Sequence, residues 1–105
     1  MGKSIQVRQA KETRVFAHDG LNLVTGTSLN ADAADIPGTA NDFGRGACIY
    51  VGKAMDEITV TMESGKSLQF KGIAAGSFMP ILVTAVTSAT PGSGSLADND
   101  ILALY

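Results

Sequence analysis

Apolar and polar residues alternate most regularly over residues 57–70. In "EITVTME" (57–63), Ile58, Val60 and Met62 fall on one face and Thr59, Thr61 and Glu63 on the other. After Ser64-Gly65, Leu68 and Phe70 share a face while Lys66, Ser67 and Gln69 are mostly outward. A period of two on both sides of a Ser-Gly step predicts a β-hairpin whose turn is Ser64 and Gly65. Glycine belongs there because a tight turn needs positive φ, which carries little steric penalty without a β-carbon.

The remaining apolar runs are short and read as strands. "ACIYV" (47–51) stops at Gly52. Residues 78–89 are apolar almost throughout, which suggests burial on both sides, with the strand opening near Pro80. "ILALY" (101–105) is a docked apolar strand. Upstream, residues 4–17 are ambiguous: "SIQVRQ" (4–9) sets Ile5 and Val7 on one face, as an extended segment would, while "RQAKET" (8–13) could extend a short helix, and the extended reading is the one expected. "HDG" at 18–20 marks a turn, and Leu21, Leu23 and Leu29 are candidates to face inward. Residues 30–46 are rich in Asn, Asp, Gly and Pro and read as a long loop of the kind that is functional or lies on a neighbour. Residues 90–100 read as a flexible loop. No segment has a clear helical period.

Composition agrees with this pattern. The chain has 105 residues, 45% hydrophobic and 17% charged, with 12 glycines and no tryptophan. That length is one domain's worth, with enough burial for one modest core. Many small turn residues between short apolar runs predict an all-β fold: a small single-domain β-sandwich, jelly-roll-like, of six to eight short strands.

The formal net charge of −2 argues against nucleic acid as a partner. Its distribution is uneven. Residues 1–16 carry Lys3, Arg8, Lys11 and Arg14 against Glu12, or +4 − 1 = +3, and the rest carries −5. The division expected is therefore a basic arm at 1–16, suited to docking on an acidic surface, and a β-sandwich domain at 17–105. Cys48 is the one cysteine, so no intrachain disulfide is possible, and its apolar run suggests an inert buried thiol. No apolar run approaches a membrane span, and "MGKSIQ" has no signal-peptide core, so a protein made in the cytoplasm, with no membrane partner, is expected.

Several patterns invite a chemical reading. Gly65-Lys66-Ser67 resembles the end of a phosphate-binding loop. The first glycine of that motif would fall at Val60, and more strand follows Ser67 where a helix is needed. His18, the only histidine, sits in a turn without a nucleophile motif. One Cys and one His are too few for a zinc site. Asp98, Asn99 and Asp100 lack the calcium-loop pattern and read as a turn. Asp32, Asp35 and Asp42 lie in a loop with no evident apolar pocket. The expectation is a protein that is not an enzyme, with no catalytic residue, cofactor or metal.

The C-terminal two-thirds carries an ordered set of structural motifs. Asp35-Ile36-Pro37 and Arg45 lead into Tyr50-Val51-Gly52. A glycine-turn hairpin follows with Ile58, Val60 and Gly65, then Phe70, Ile73, Gly76 and Pro80, and finally Ile101, Ala103, Leu104 and Tyr105. In order and spacing, residues 35–105 resemble the head-spike base proteins of gene transfer agents and related tailed phages. The loop at 90–100 is longer than in that family, and residues 1–34 match only vaguely.

The resemblance implies a structural virion protein on the outer surface of the head. It would be a homo-oligomer, pentameric or alternatively trimeric, that joins the major capsid protein to a fibre or spike protein. The arm and lead-in loop, with Lys3, Arg8, Lys11, Arg14, Asp35, Ile36, Pro37 and Arg45, are then the expected contacts to capsid or neighbour. Two alternatives stay open at this point, a capsid cement protein and a carbohydrate-binding or host-attachment module. The second wants exposed aromatics, of which two Tyr and four Phe supply few.

Overall fold

The computed structural model describes residues 17, 19–36 and 46–105. The alternation over 57–70 folds as the expected hairpin. Strand β5 (Met55–Met62) pairs antiparallel with β6 (Ser67–Ile73), placing Ile58 opposite Phe70 and Val60 opposite Leu68. The connection is one residue longer than Ser64-Gly65. Met62 N–H donates to the Lys66 carbonyl at 2.7 Å and Gly65 N–H to the Met62 carbonyl at 2.7 Å, so Glu63 also lies in the loop. Gly65 has φ 93°, and a three-residue hairpin loop reserves its last position for such a residue.

Four further strands complete a six-stranded antiparallel sheet: β1 (Gly20–Asn22), β4 (Ala47–Val51), β7 (Ser77–Pro91) and β8 (Ile101–Leu104). The order is β1-β8-β4-β7-β5-β6. A separate ribbon is formed by β2 (Val24–Thr25) and β3 (Ser28–Leu29). The described residues contain no α-helix, only a 3-10 turn at Ala31–Ala34, so the all-β class is what the structure shows. Asn30 caps that turn, its side chain accepting from the Asp32 and Ala33 N–H groups.

Strand β7 joins the two halves of the sheet. It is 15 residues long and begins at Ser77, three residues before Pro80. Its first part pairs with β4 and its second with β5, and Val83 stands opposite both Ala47 and Met62. Proline is tolerated inside the strand for a local reason. Between Met79, opposite Ile49, and Val83, opposite Ala47, the β4 register is broken, and β5 pairing starts only at Val83. Pro80 therefore lies where the ladder is interrupted and one side of the strand is open, so its missing N–H leaves no gap in the hydrogen bonding.

The inward faces of both halves share one core. Ala47, Ile49 and Val51 of β4 and Ile101 and Ala103 of β8 meet Ile58 and Val60 of β5, Ile73 of β6, and Val83 and Val86 of β7. Leu23 and Val24 are fully buried, and Leu21 and Leu29 pack against the same cluster, as their inward assignment anticipated. The loop after β7 is tied down, in contrast to its flexible reading. Leu96 is buried in the core, Lys53 Nζ donates to the Ser95 carbonyl at 2.7 Å, and Gly92 N–H donates to Ala54 at 3.0 Å.

Candidate functional site

The two halves of the sheet differ in what they show to the outside. On β5 and β6 the outward positions are polar: Glu57, Thr59 and Thr61 lie opposite Lys71, Gln69 and Ser67, and Ser88 and Thr90 continue the row on β7. Gln69 Nε2 donates to Thr59 Oγ1 at 3.4 Å across this face. A polar outer face over an apolar inner one is the ordinary arrangement for an antiparallel strand pair.

The half built from β1, β8, β4 and the start of β7 departs from that arrangement. Its inward positions are the core residues Ile101, Ala103, Ala47, Ile49 and Val51, with the half-buried Leu21 packed against them. Its outward positions are also largely apolar. Leu102 stands opposite Tyr50, Tyr50 stands opposite Phe78, and in the next row Leu104 stands opposite Cys48. None of these five belongs to the core cluster. Phe78 is 54% exposed and the other four are half-buried. Gly20 and Asn22 extend the face on β1, so no formal charge lies on it. Four strands spaced at about 4.8 Å and some five residues long give it roughly 300 Å². That matches the largest apolar patch of a typical monomer, which is often a contact site.

The sequence-expected site residues that the structure describes, Asp35, Ile36, Ser64 and Gly65, fall elsewhere. Asp35 is exposed and closes the 3-10 turn, its N–H donating to the Asp32 carbonyl at 3.1 Å. Ile36 is fully buried, and its N–H donates to the Thr84 carbonyl at 3.1 Å, so it pins the lead-in loop to the domain's own core. Ser64 and Gly65 are exposed at the tip of the hairpin. Lys3, Arg8, Lys11, Arg14, His18, Pro37, Asp42 and Arg45 lie outside the described residues. The described residues carry eight carboxylates and three lysines, a net −5.

The acidic turn at 98–100 serves the fold. Asp98 Oδ1 accepts from Gly26 N–H at 3.0 Å, and Asp100 Oδ2 accepts from Ala97 N–H at 2.7 Å. Asn99 takes φ 69°, a conformation asparagine tolerates better than most residues. Its N–H donates to Asn22 Oδ1 at 3.0 Å. Among the described residues, no group of three or more His, Cys, Asp or Glu could hold a metal ion.

The apolar outer face is not among the sequence expectations, which treat "ACIYV" as a short apolar strand and "ILALY" as a docked one and assign no outward face to either. A usable signal was present. In both runs the residues between the inward ones, Cys48 and Tyr50 or Leu102 and Leu104, are as apolar as the inward set. Comparison with known proteins does not assign the face: no family model, no curated protein and no solved structure matches the chain.

Proposed function

We propose that this protein is a structural virion component, a head-spike base that sits at capsid vertices and joins the major capsid protein to a receptor-binding fibre. The observation that carries the reading is the contrast between the two outer faces. A domain with a polar, Thr/Ser-rich face on one half and an uncharged apolar face on the other is suited to being held between unlike neighbours. The resembling motifs also occupy positions that build this shape. Asp35-Ile36 ties the lead-in loop to the core, Tyr50-Val51-Gly52 ends β4, Gly65 turns the hairpin, and Ile101 to Tyr105 supplies β8 and its end. In this reading the protein is a closed homo-oligomer, and the basic segment at 1–16 and the loop through Pro37 and Arg45 reach capsid or neighbouring subunits.

The test is the copy number in purified particles, by quantitative mass spectrometry against the major capsid protein. On the order of 60 copies, five at each of about twelve vertices, is expected for a closed fivefold ring. Several hundred would replace the spike base with a cement protein. Absence from particles would overturn the virion reading.

A further inference from the structure

We infer that the apolar outer face formed by Leu102, Leu104, Cys48, Tyr50 and Phe78 is the seat of the N-terminal segment of a neighbouring copy of this chain, with Ile5 and Val7 on the face. The inference rests on the oligomeric part of the proposed function and names the contact that links its subunits.

Four observations select this occupant. The first is size. A stable interface between two folded surfaces buries roughly 800 Å² on each partner, and this face offers about a third of that. It suits one extended segment lying across four strands better than a second folded domain. The second is pattern. Residues 4–9, "SIQVRQ", alternate so that Ile5 and Val7 share one side while Gln6 and Arg8 take the other. A flat apolar face selects such an amphipathic segment, leaving its polar side in water.

The third is charge. Residues 1–16 carry +3 and the described domain −5, so a segment of one copy is attracted to the body of the next. The basic residues need no partner on the uncharged face itself. Asp19 adjoins β1 at the Leu104 end of the face, and Asp100 immediately precedes Ile101 of β8 at the other end.

The fourth is direction. Asp19 N–H donates to the Tyr105 carbonyl at 3.0 Å, and Tyr105 N–H donates back to Asp19 at 3.0 Å. The β1–β8 ladder thus runs on through Asp19 and Tyr105, so β1, traced toward the N-terminus, heads off the Leu104 end of the face. Folding back onto its own face would require a tight reversal. Residues 5–17 contain no Gly, Pro, Asn, Asp or Ser, the residues that favour one, and Asp19 and Gly20, expected to turn, are held in the ladder with Tyr105 and Leu104 instead. The ten residue steps from Val7 to Ala17, at about 3.3 Å each, reach roughly 33 Å, enough to cross to an adjacent subunit.

The native cysteine provides the test, because Cys48 lies on the face and is the chain's only thiol. The full-length Val7→Cys variant is oxidised gently and compared with Glu12→Cys and with the unaltered chain, while light scattering gives the oligomeric state. The expected result is a closed oligomer in which Val7→Cys forms an intermolecular disulfide to Cys48 an order of magnitude more than either control. A disulfide within one chain would overturn the inference, since the segment would then cover its own face. A closed oligomer in which Val7→Cys cross-links no more than the controls would overturn it while leaving the oligomeric reading standing. A monomer at all concentrations would overturn both. In a second variant, Ile5→Asp/Val7→Asp, the oligomer should dissociate with the melting temperature of the domain unchanged, and an intact oligomer would overturn the seat.

Discussion

Gly46 lies so close to Val83 that a β-carbon on it would sit 2.8 Å from the Val83 carbonyl oxygen and 2.9 Å from the Val83 nitrogen. Both are backbone atoms of the strand that joins the two halves of the sheet, so neither can move aside as a side-chain end could. The Gly46 N–H is also held by the Glu63 carboxylate, which fixes the approach from the other side. Gly46→Ala should therefore destabilise by about 1–3 kcal/mol, as overpacking of a filled interior does. For a domain of this size that lowers the melting temperature by roughly 5–20 °C. Unchanged melting would mean that β4 and β7 can separate at this point without penalty.

Gly65 is constrained differently. A β-carbon there would meet nothing within 4 Å, so space is available and conformation alone decides. With φ at 93°, Gly65→Val should lose about 1–3 kcal/mol through backbone strain. The loss should concentrate in the hairpin. Hydrogen exchange at the β5–β6 amides should accelerate more than exchange in β4 and β8. Uniform acceleration, or none, would contradict the three-residue loop.

These two glycines mark what could be read from the sequence and what could not. Gly65 was legible because period-two alternation flanks it, and local pattern fixes a hairpin. Gly46 was not, because its constraint comes from Val83, far along the chain. The alternation of β5 also gave the inward set Ile58, Val60 and Met62 correctly, since one face of that strand is buried and the other wet. β4 and β8 could not be resolved in this way. With apolar residues on both faces, nothing in either run says which set meets the core. The β2–β3 ribbon was missed because each strand has only two residues, too few to show a period. Ile36 looked like a contact residue by its place in a resembling motif, yet its side chain is spent on the core, which only the fold could reveal.

Asn22 connects three segments that sequence reading left separate. Its Oδ1 accepts from Val24 N–H and Asn99 N–H, each at 3.0 Å, and its carbonyl accepts from Asn30 Nδ2 at 2.6 Å. Asn22→Ala removes the shared acceptor and leaves the part-buried Val24 N–H without it. The expected loss is about 1–3 kcal/mol, the penalty for stranding a buried donor, measured as a lower urea midpoint. Asn22→Asp keeps an acceptor oxygen but adds a charge next to the turn that carries Asp98 and Asp100, so it should fall between the two. If Asn22→Ala unfolds at the parent midpoint, the side chain is not holding the 98–100 turn.

Ile49 and Phe78 separate the two faces of one strand pair. Ile49 lies opposite Met79 with its side chain fully buried in the core, and Phe78 lies opposite the next residue, Tyr50, with 54% of its surface exposed. Ile49→Ala should destabilise by about 2–5 kcal/mol, through lost burial and the cavity left behind. Phe78→Ser removes a side chain already largely in water, so the isolated domain should change by no more than about 0.5 kcal/mol. Its effect should appear in assembly. If the outer face seats a neighbour's segment, Phe78→Ser weakens the oligomer while the domain melts as before, whereas Ile49→Ala lowers melting first. The measurement that separates them is a concentration series in the analytical ultracentrifuge beside thermal unfolding of the same samples. A Phe78→Ser protein that assembles like the parent would show the face to be incidental. One that unfolds early would show Phe78 to be part of the core after all.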